Sequence, residues 1–187
     1  MQKNMIESVK KAVLPTTLEE FENWEPNDGF KYEWNDGELI KFEGMKRKHL
    51  KLVKILNRLF SKTKAYEAGG ELICEQDVML TGIQLRRPDL AYFSGEQIDN
   101  SDEGDEPIPA FAIEIISTHD QLNDVKRKLR EYFKHGVKVV WLIYPEDKIV
   151  EVFTSFKNVK ICTDDDVCSA SPVMNDFEIT VNQLFVQ

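Results

Sequence analysis

The sequence of 187 residues contains few glycines, prolines and cysteines and no long apolar run, which excludes several classes of protein. It contains 9 glycines, 7 prolines and 3 cysteines, too few for a collagen-like, low-complexity or disulfide-stapled chain. Its longest apolar run, residues 139 to 144, is far shorter than the ~20 residues of a membrane helix, and its first residues lack the apolar core of a signal peptide. We therefore expect a soluble cytoplasmic protein with reduced thiols.

The residues that are present favour a packed globular core. Hydrophobic residues make up 42% of the chain and aromatic residues 10%. A chain of this length buries roughly 70% of its unfolded surface without disulfides or metals. We expect a single domain, with a core from about residue 15 to residue 187.

Charge is distributed unevenly along the chain. The formal net charge of −9 argues by itself against a polyanionic partner. Residues 46 to 64 nevertheless contain eight Lys or Arg and no acid. Apolar residues recur there every three or four positions, which predicts an amphipathic helix over residues 48 to 62. Its basic face is either a phosphate-binding surface or an ordinary solvated face, and it comprises Arg47, Lys51, Lys54, Arg58 and Lys62.

Periodicity predicts an alternation of helices and strands along the chain. The predicted helices are a short one capped by Thr17, the basic helix, one over residues 123 to 135, and one over residues 181 to 185 capped by Thr180. The predicted strands cover residues 30 to 34, 38 to 42, 71 to 80, 87 to 93, 109 to 117, 137 to 144 and 148 to 154, with weaker strands near 159 and 177. An acidic loop is predicted at residues 99 to 106.

Two acidic residues lie within or beside apolar strands. Glu114 interrupts the run PAFAIEIIS, and strand alternation places it on the face opposite Phe111, Ile113 and Ile115. Asp89 follows a proline at the start of another strand. A buried, unpaired carboxylate costs several kcal/mol, so each of them needs a compensating partner. If the two converge on adjacent strands, they form an oxygen-rich site suited to Mg²⁺ or Mn²⁺. The alternative is that they form salt bridges with lysines or with Arg86 or Arg87, and bind no metal.

A lysine near such a site would assist hydrolytic chemistry. A divalent ion held by two carboxylates can acidify water and polarise a phosphoryl oxygen. Lys128, on the predicted helix over residues 123 to 135, is the first candidate for the assisting cation. Lys126, at the other edge of the same helix, is the second.

Five segments resemble one known family when they are taken together and in order. They are YEWNDGEL at 32 to 39, RRPDLAYF at 86 to 93, IEIIS at 113 to 117, KLREYFKHGVKVVWLI at 128 to 143 and YPEDKIVEVF at 144 to 153. The chain resembles the bacterial putative restriction endonuclease family of the PD-(D/E)xK nuclease-like superfamily. The resemblance implies an α/β (α+β) restriction-endonuclease-like fold, with a mixed central sheet flanked by helices and an N-terminal hairpin.

The resemblance also implies roles for individual residues. Asp89 and Glu114 match the motif acids that bind Mg²⁺. The superfamily's usual motif lysine would stand at Ile116, but the family's Lys-Leu-x-x-Tyr pattern matches this chain at Lys128.

Two further positions match the family, and they complete the predicted site. Glu38 and His49 are possible supporting residues, whose alternatives are a solvated hairpin residue and a helix-cap histidine. The backbone carbonyl of Ile115 is a possible third metal ligand. We predict a Mg²⁺- or Mn²⁺-dependent endonuclease that hydrolyses DNA and acts as a homodimer. The alternative is a catalytically inactive nuclease-fold module for nucleic-acid binding or assembly.

Overall fold

The computed structural model describes residues 14–43, 49–101, 104, 106–118 and 120–185. The helices are α1 (Leu18–Glu22), α2 (Leu50–Phe60), α3 (Lys64–Glu67), α4 (Gly95–Ser101), α5 (Leu122–Lys134) and α6 (Val181–Leu184). The first six strands are β1 (Phe30–Asn35), β2 (Glu38–Glu43), β3 (Glu71–Cys74), β4 (Val78–Thr81), β5 (Gln84–Arg86) and β6 (Leu90–Phe93). The other six are β7 (Phe111–Ile115), β8 (Val139–Tyr144), β9 (Ile149–Ser155), β10 (Asn158–Cys162), β11 (Val167–Ala170) and β12 (Met174–Thr180).

The central sheet has six strands in the order β10-β9-β8-β7-β6-β3. Strands β7 and β8 are parallel, and the other neighbouring pairs are antiparallel. Helix α5 connects the two parallel strands, because a parallel pair needs a long crossover connection. The mixed sheet with flanking helices confirms the predicted fold class.

Short polar residues fix the ends of several elements as the sequence predicts. The Thr17 hydroxyl accepts a hydrogen bond from the backbone N–H of Glu20, and Thr180 forms a complete capping box with Gln183. Helix α5 ends before Gly136, whose φ of 105° lies in the left-handed region that favours glycine. The loop between β1 and β2 likewise has positive φ at both of its residues, 36 and 37.

A second, four-stranded sheet has the order β2-β1-β5-β4. The chain forms β1 and β2 of this sheet first, comes back to it after β3 to form β4 and β5, and returns to the central sheet at β6. The prediction of one strand over residues 71 to 80 is therefore wrong, because the chain turns at Glu75, which has a φ of 53°. The strand predicted from residue 87 begins only at Leu90, since Pro88 has no N–H to donate to a strand ladder.

The central sheet is covered on both faces. One face carries Phe111, Ile113 and Trp141 in a cluster with residues of α2, β11, β12 and α6. The other face carries Ala112 and Leu142 in a cluster with residues of α5. This alternation along β7 puts Glu114 on the α5 side of the sheet, as the sequence pattern predicts.

Two further predictions needed correction. Residues 99 to 101 of the predicted acidic loop belong to α4, whose start is fixed by reciprocal hydrogen bonds between Ser94 and Gln97. Strand β11 was not predicted, because only four residues carry its weak alternation. Within the described part of the chain, no helix is long and apolar enough to cross a membrane.

Candidate active site

A cavity of about 320 Å³ adjoins both larger sheets and helix α5. Its wall includes residues of β1, β2, β7, β8 and α5, together with the segment between β5 and β6. Five residues that the sequence singled out contribute to its lining: His49, Asp89, Glu114, Ile115 and Lys128. The structure therefore brings the two motif acids and the first-choice lysine together.

Asp89 lies directly before β6, and its carboxylate is held from two sides. Its Oδ2 atom accepts a hydrogen bond from the backbone N–H of Ile115 at 2.7 Å, which ties it to the end of β7. Its Oδ1 atom lies 3.3 Å from the Nζ atom of Lys31. The side chain is only 14% exposed, so its charge is compensated mainly by these two donors.

Glu114 is an acid of the cavity whose carboxylate is held by two donors. Its Oε1 atom accepts a hydrogen bond from the Tyr132 hydroxyl at 2.7 Å and lies 2.8 Å from the Nζ atom of Lys128. Burial raises the pKa of Glu114 to about 7, against the lowering effect of Lys128, and the negative charges of Asp89 and Glu33 add to the rise. The site thus concentrates more negative charge than Lys128 alone neutralises.

Lys128 projects from α5 between two carboxylates. Its Nζ atom lies 2.8 Å from Glu114 and 2.8 Å from Glu33. Burial disfavours the ammonium form, but the charges of Glu114 and Glu33 outweigh it and raise the pKa of Lys128 above its ordinary value. Lys126, the second candidate, is exposed and does not line the cavity. Of the two candidates on α5, Lys128 is therefore the one that reaches Glu114, and it does so as a cation.

Glu33 is a cavity residue that sequence analysis missed. Its side chain is fully buried, with one oxygen 2.9 Å from the Nη1 atom of Arg86 and the other 2.9 Å from the backbone N–H of Arg87. Burial by itself would raise the pKa of Glu33. The positive charges of Lys128 and Arg86 have the opposite and larger effect, so the pKa of Glu33 lies below its ordinary value. Arg86 also donates a hydrogen bond from its Nε atom to the carboxylate of Glu131 of α5. These charges form one buried network that connects β1, β5 and α5.

A signal for Glu33 was present in the sequence. It stands between Tyr32 and Trp34 in β1, and both aromatic residues pack in a separate cluster of the small sheet. Strand alternation then turns Lys31 and Glu33 to the opposite face. An acid flanked by apolar residues within a strand is the same pattern that identified Glu114.

The two supporting residues occupy different places. His49 is buried at the start of α2 and lines the cavity. Glu38 does not line it, and its carboxylate, 59% exposed, lies 3.0 Å from the Nη1 atom of Arg127. Because Arg127 itself lines the cavity, Glu38 is connected to the site through that side chain.

The basic face predicted for α2 is present over the part of it that is described. Leu52, Leu56 and Phe60 are buried in the core, which confirms the amphipathic helix. The exposed positions of the basic face are Lys51, Lys54, Arg58 and Lys62. Arg47 lies outside the described residues. Helix α2 begins directly after His49, so the basic helix starts at the cavity.

The donor set fits a hard divalent ion held in part by water. No cluster of three or more His, Cys, Asp or Glu side chains suited to a metal occurs among the residues described. Asp89 and Glu114 offer two carboxylates, and Ile115, whose carbonyl oxygen is the third predicted ligand, lines the same cavity. Mg²⁺ is typically held by one or two carboxylates and keeps several waters, whereas structural Zn²⁺ needs four protein ligands. These residues therefore suit Mg²⁺ or Mn²⁺.

Both the sequence and the fold have recognisable relatives. The model of the family Uma2, described as putative restriction endonuclease, matches residues 18–182. The crystal structure of a putative nuclease belonging to DUF820 from Anabaena variabilis matches with a TM-score of 0.74 and 20% sequence identity, covering 91% of this chain and 98% of that chain. At this identity the structural likeness shows a common fold. No curated protein matches the sequence.

Proposed function

Since the chain belongs to the Uma2 family of putative restriction endonucleases, we propose that it is a Mg²⁺- or Mn²⁺-dependent endonuclease that hydrolyses DNA phosphodiester bonds. The observation that carries the proposal is the convergence of Asp89, Glu114 and Lys128 on one cavity. The three residues come from separate segments of the chain. Two carboxylates that can hold a divalent ion, beside a cation, are groups that assist phosphodiester hydrolysis.

Asp89 and Glu114, with the backbone carbonyl of Ile115, would hold the divalent ion. When bound, the ion supplies Lewis acidity, which acidifies a water molecule and polarises a phosphoryl oxygen. The N–H of Ile115 orients Asp89, and the Tyr132 hydroxyl orients Glu114. Each carboxylate thus has a fixed partner that limits its rotation, as a preorganised site requires.

Lys128 acts in this proposal as a hydrogen-bond donor. Its raised pKa keeps it protonated at neutral pH, so it cannot take a proton from water. Its ammonium group instead orients the attacking water and stabilises negative charge on the phosphoryl oxygens. It reaches Glu114 from α5, whereas a lysine at Ile116 would reach it from the sheet. The site therefore has a cation although the strand lacks the motif lysine.

The DNA backbone would follow the basic face of α2. Lys51, Lys54, Arg58 and Lys62 are exposed there, and Arg47 would add a fifth charge. Each contact to a phosphate releases counterions and strengthens binding at low salt. A homodimer would present two such sites, one for each strand of a duplex.

The proposal is tested by titrating Mn²⁺ calorimetrically and by assaying plasmid nicking on the same samples. We expect the unmodified protein to bind Mn²⁺ saturably and to nick DNA. Asp89→Asn and Glu114→Gln should lose both, with nicking reduced at least ~100-fold. Glu71→Gln, a substitution of an exposed acid on β3 that does not line the cavity, is the matched control and should behave as the unmodified protein.

Three other outcomes would contradict the proposal. If Asp89→Asn nicks DNA at the rate of the unmodified protein, Asp89 is not part of the active site. Saturable DNA binding without any Mn²⁺-dependent product would favour the non-cleaving module. An absence of saturable Mn²⁺ binding by the folded unmodified protein would exclude the metal site itself.

A further inference from the structure

Lys31 is a cavity residue to which neither the sequence motifs nor the proposed hydrolysis gives a role. It lies in β1, two residues before Glu33, and its side chain is 11% exposed. Its Nζ atom lies 3.3 Å from Oδ1 of Asp89 and 3.2 Å from Oε1 of Glu75. The other oxygen of Asp89 is already bonded to the backbone of β7. The ammonium group of Lys31 therefore stands beside the Asp89 oxygen that is not bound by the backbone.

Lys31 and Lys128, the two cavity lysines that reach the motif acids, are held in different ways. Lys128 is fixed by Glu33, which is fully buried and is itself held by Arg86. The second partner of Lys31 is Glu75, whose side chain is 37% exposed. An ion pair that reaches solvent contributes little free energy, and a lysine has a flexible four-carbon chain. Lys31 can thus leave its position at a lower cost than Lys128.

A divalent ion at Asp89 would compete directly with this ammonium group. Both cations would need the same carboxylate oxygen, and two positive charges at contact distance in a part-buried site repel each other by several kcal/mol. Once Lys31 is displaced from Asp89, its charge remains near the cavity and needs a new anionic partner. A phosphate oxygen of the nucleic-acid backbone is such a partner, and lysine is a common ligand of phosphate.

We propose that Lys31 is an internal counter-ion that neutralises Asp89 in the metal-free protein and binds a DNA phosphate after a divalent ion displaces it. The inference rests on the proposed function, because it requires a divalent ion at Asp89. It makes DNA affinity depend on the metal through one identified side chain.

The first test is calorimetric titration of Mn²⁺ into the unmodified protein, Lys31→Met and Lys41→Met. Lys41 carries the same charge and lines the same cavity, but it pairs with Asp28 at 2.9 Å and not with Asp89. We expect Lys31→Met to bind Mn²⁺ roughly tenfold more tightly, because the competing cation is gone. Lys41→Met should stay within about twofold of the unmodified protein, since exposed charges are screened. Lys31→Gln provides a second variant if Lys31→Met folds poorly.

The second test is the salt dependence of binding to a short DNA duplex, measured by fluorescence anisotropy with and without Ca²⁺. Ca²⁺ takes the same carboxylate oxygens. Without the ion, Lys31→Met should bind DNA as the unmodified protein does, because Lys31 is then engaged by Asp89 and Glu75. With Ca²⁺, the slope of log affinity against log salt should steepen by about one in the unmodified protein, as expected for one added phosphate contact, and should stay unchanged in Lys31→Met. Lys41→Met keeps Lys31 and should therefore respond to Ca²⁺ as the unmodified protein does.

The outcomes separate this inference from the proposed function. Normal Mn²⁺ binding by the unmodified protein with no tightening in Lys31→Met overturns the inference and leaves the metal site intact. An equal loss of DNA affinity with and without Ca²⁺ also overturns it, since Lys31 would then be an ordinary surface cation. A failure of the unmodified protein to bind Mn²⁺ overturns the proposed function and the inference together.

Discussion

At the scale of single residues, the site depends on a chain of buried charges. Glu33 accepts hydrogen bonds from Arg86 and from the backbone of Arg87, and it pairs with Lys128, which also reaches Glu114. Every charge has a partner of the opposite sign. Such a network adds little net stability compared with apolar residues of the same size, but the loss of one member leaves the others buried and unpaired.

Glu33→Gln tests this dependence. The substitution keeps the shape of the side chain but removes the charge that Arg86 and Lys128 share. We expect the free energy of unfolding to fall by about 3–5 kcal/mol, the usual cost of breaking a buried ion pair. Urea titration followed by circular dichroism measures it. Glu71→Gln, on the exposed surface, should change stability by less than ~0.5 kcal/mol. If both substitutions lower the free energy of unfolding by the same amount, the stability of the protein does not depend on the buried network.

At the scale of elements, the hairpin of β1 and β2 positions one wall of the cavity. It carries Lys31 and Glu33, and its base is fixed by Asp28, whose carboxylate accepts hydrogen bonds from the Tyr32 hydroxyl at 2.6 Å and from Lys41 at 2.9 Å. These two hydrogen bonds, that of Tyr32 first, lower the pKa of Asp28 to about 2 from an ordinary value of 3.8. The ionised carboxylate is thus preferred in the folded protein.

The lowered pKa of Asp28 predicts a pH dependence of stability. A group whose pKa is lower in the folded state stabilises the fold above its unfolded pKa and loses that effect as the pH falls towards the folded value. The stabilisation from Asp28 should therefore be complete above about pH 4 and disappear towards pH 2. Urea midpoints of the unmodified protein and Asp28→Asn, measured from pH 2 to pH 7, should differ at neutral pH and converge in acid. A difference that is constant across this range would contradict the assignment.

Local pattern predicted the elements that are long or strongly periodic. Helices α2 and α5 and strand β8 follow from their apolar spacing, and so does the face on which Glu114 lies. The turn at Glu75 was not predictable, because the left-handed φ there depends on two sheets that meet in space and not on a glycine or asparagine. Lys31 and Glu33 were missed for a related reason. Their face was readable, but their partners lie on strands and helices more than 40 residues away in sequence.

At the scale of the whole molecule, charge is separated between the body of the protein and one helix. The chain has a net charge of −9, yet the described basic positions of α2 lie on a helix that starts at the cavity. A polyanion would be repelled by the net negative charge of the chain and attracted along this face. The arrangement favours DNA binding that is weak at high salt and oriented at low salt.

The double substitution Lys54→Gln and Arg58→Gln tests the basic face. We expect it to lower the slope of log DNA affinity against log salt by about two, one for each phosphate contact. Mn²⁺ binding should not change, because neither side chain lines the cavity. The matched control is Lys138→Gln with Lys157→Gln, two exposed lysines outside α2, which should leave the slope as it is. If the slope falls equally in both double variants, the basic face of α2 has no special role in DNA binding and is an ordinary solvated surface.

The central claim is that Asp89 and Glu114 hold one divalent ion. Its most direct test is an anomalous difference map from a crystal of the unmodified protein soaked in Mn²⁺. The account predicts a single strong peak in contact with a carboxylate oxygen of each residue, with the Nζ atom of Lys31 moved away from Asp89. A map with no peak between these carboxylates, while Lys31 remains on Asp89, would contradict it.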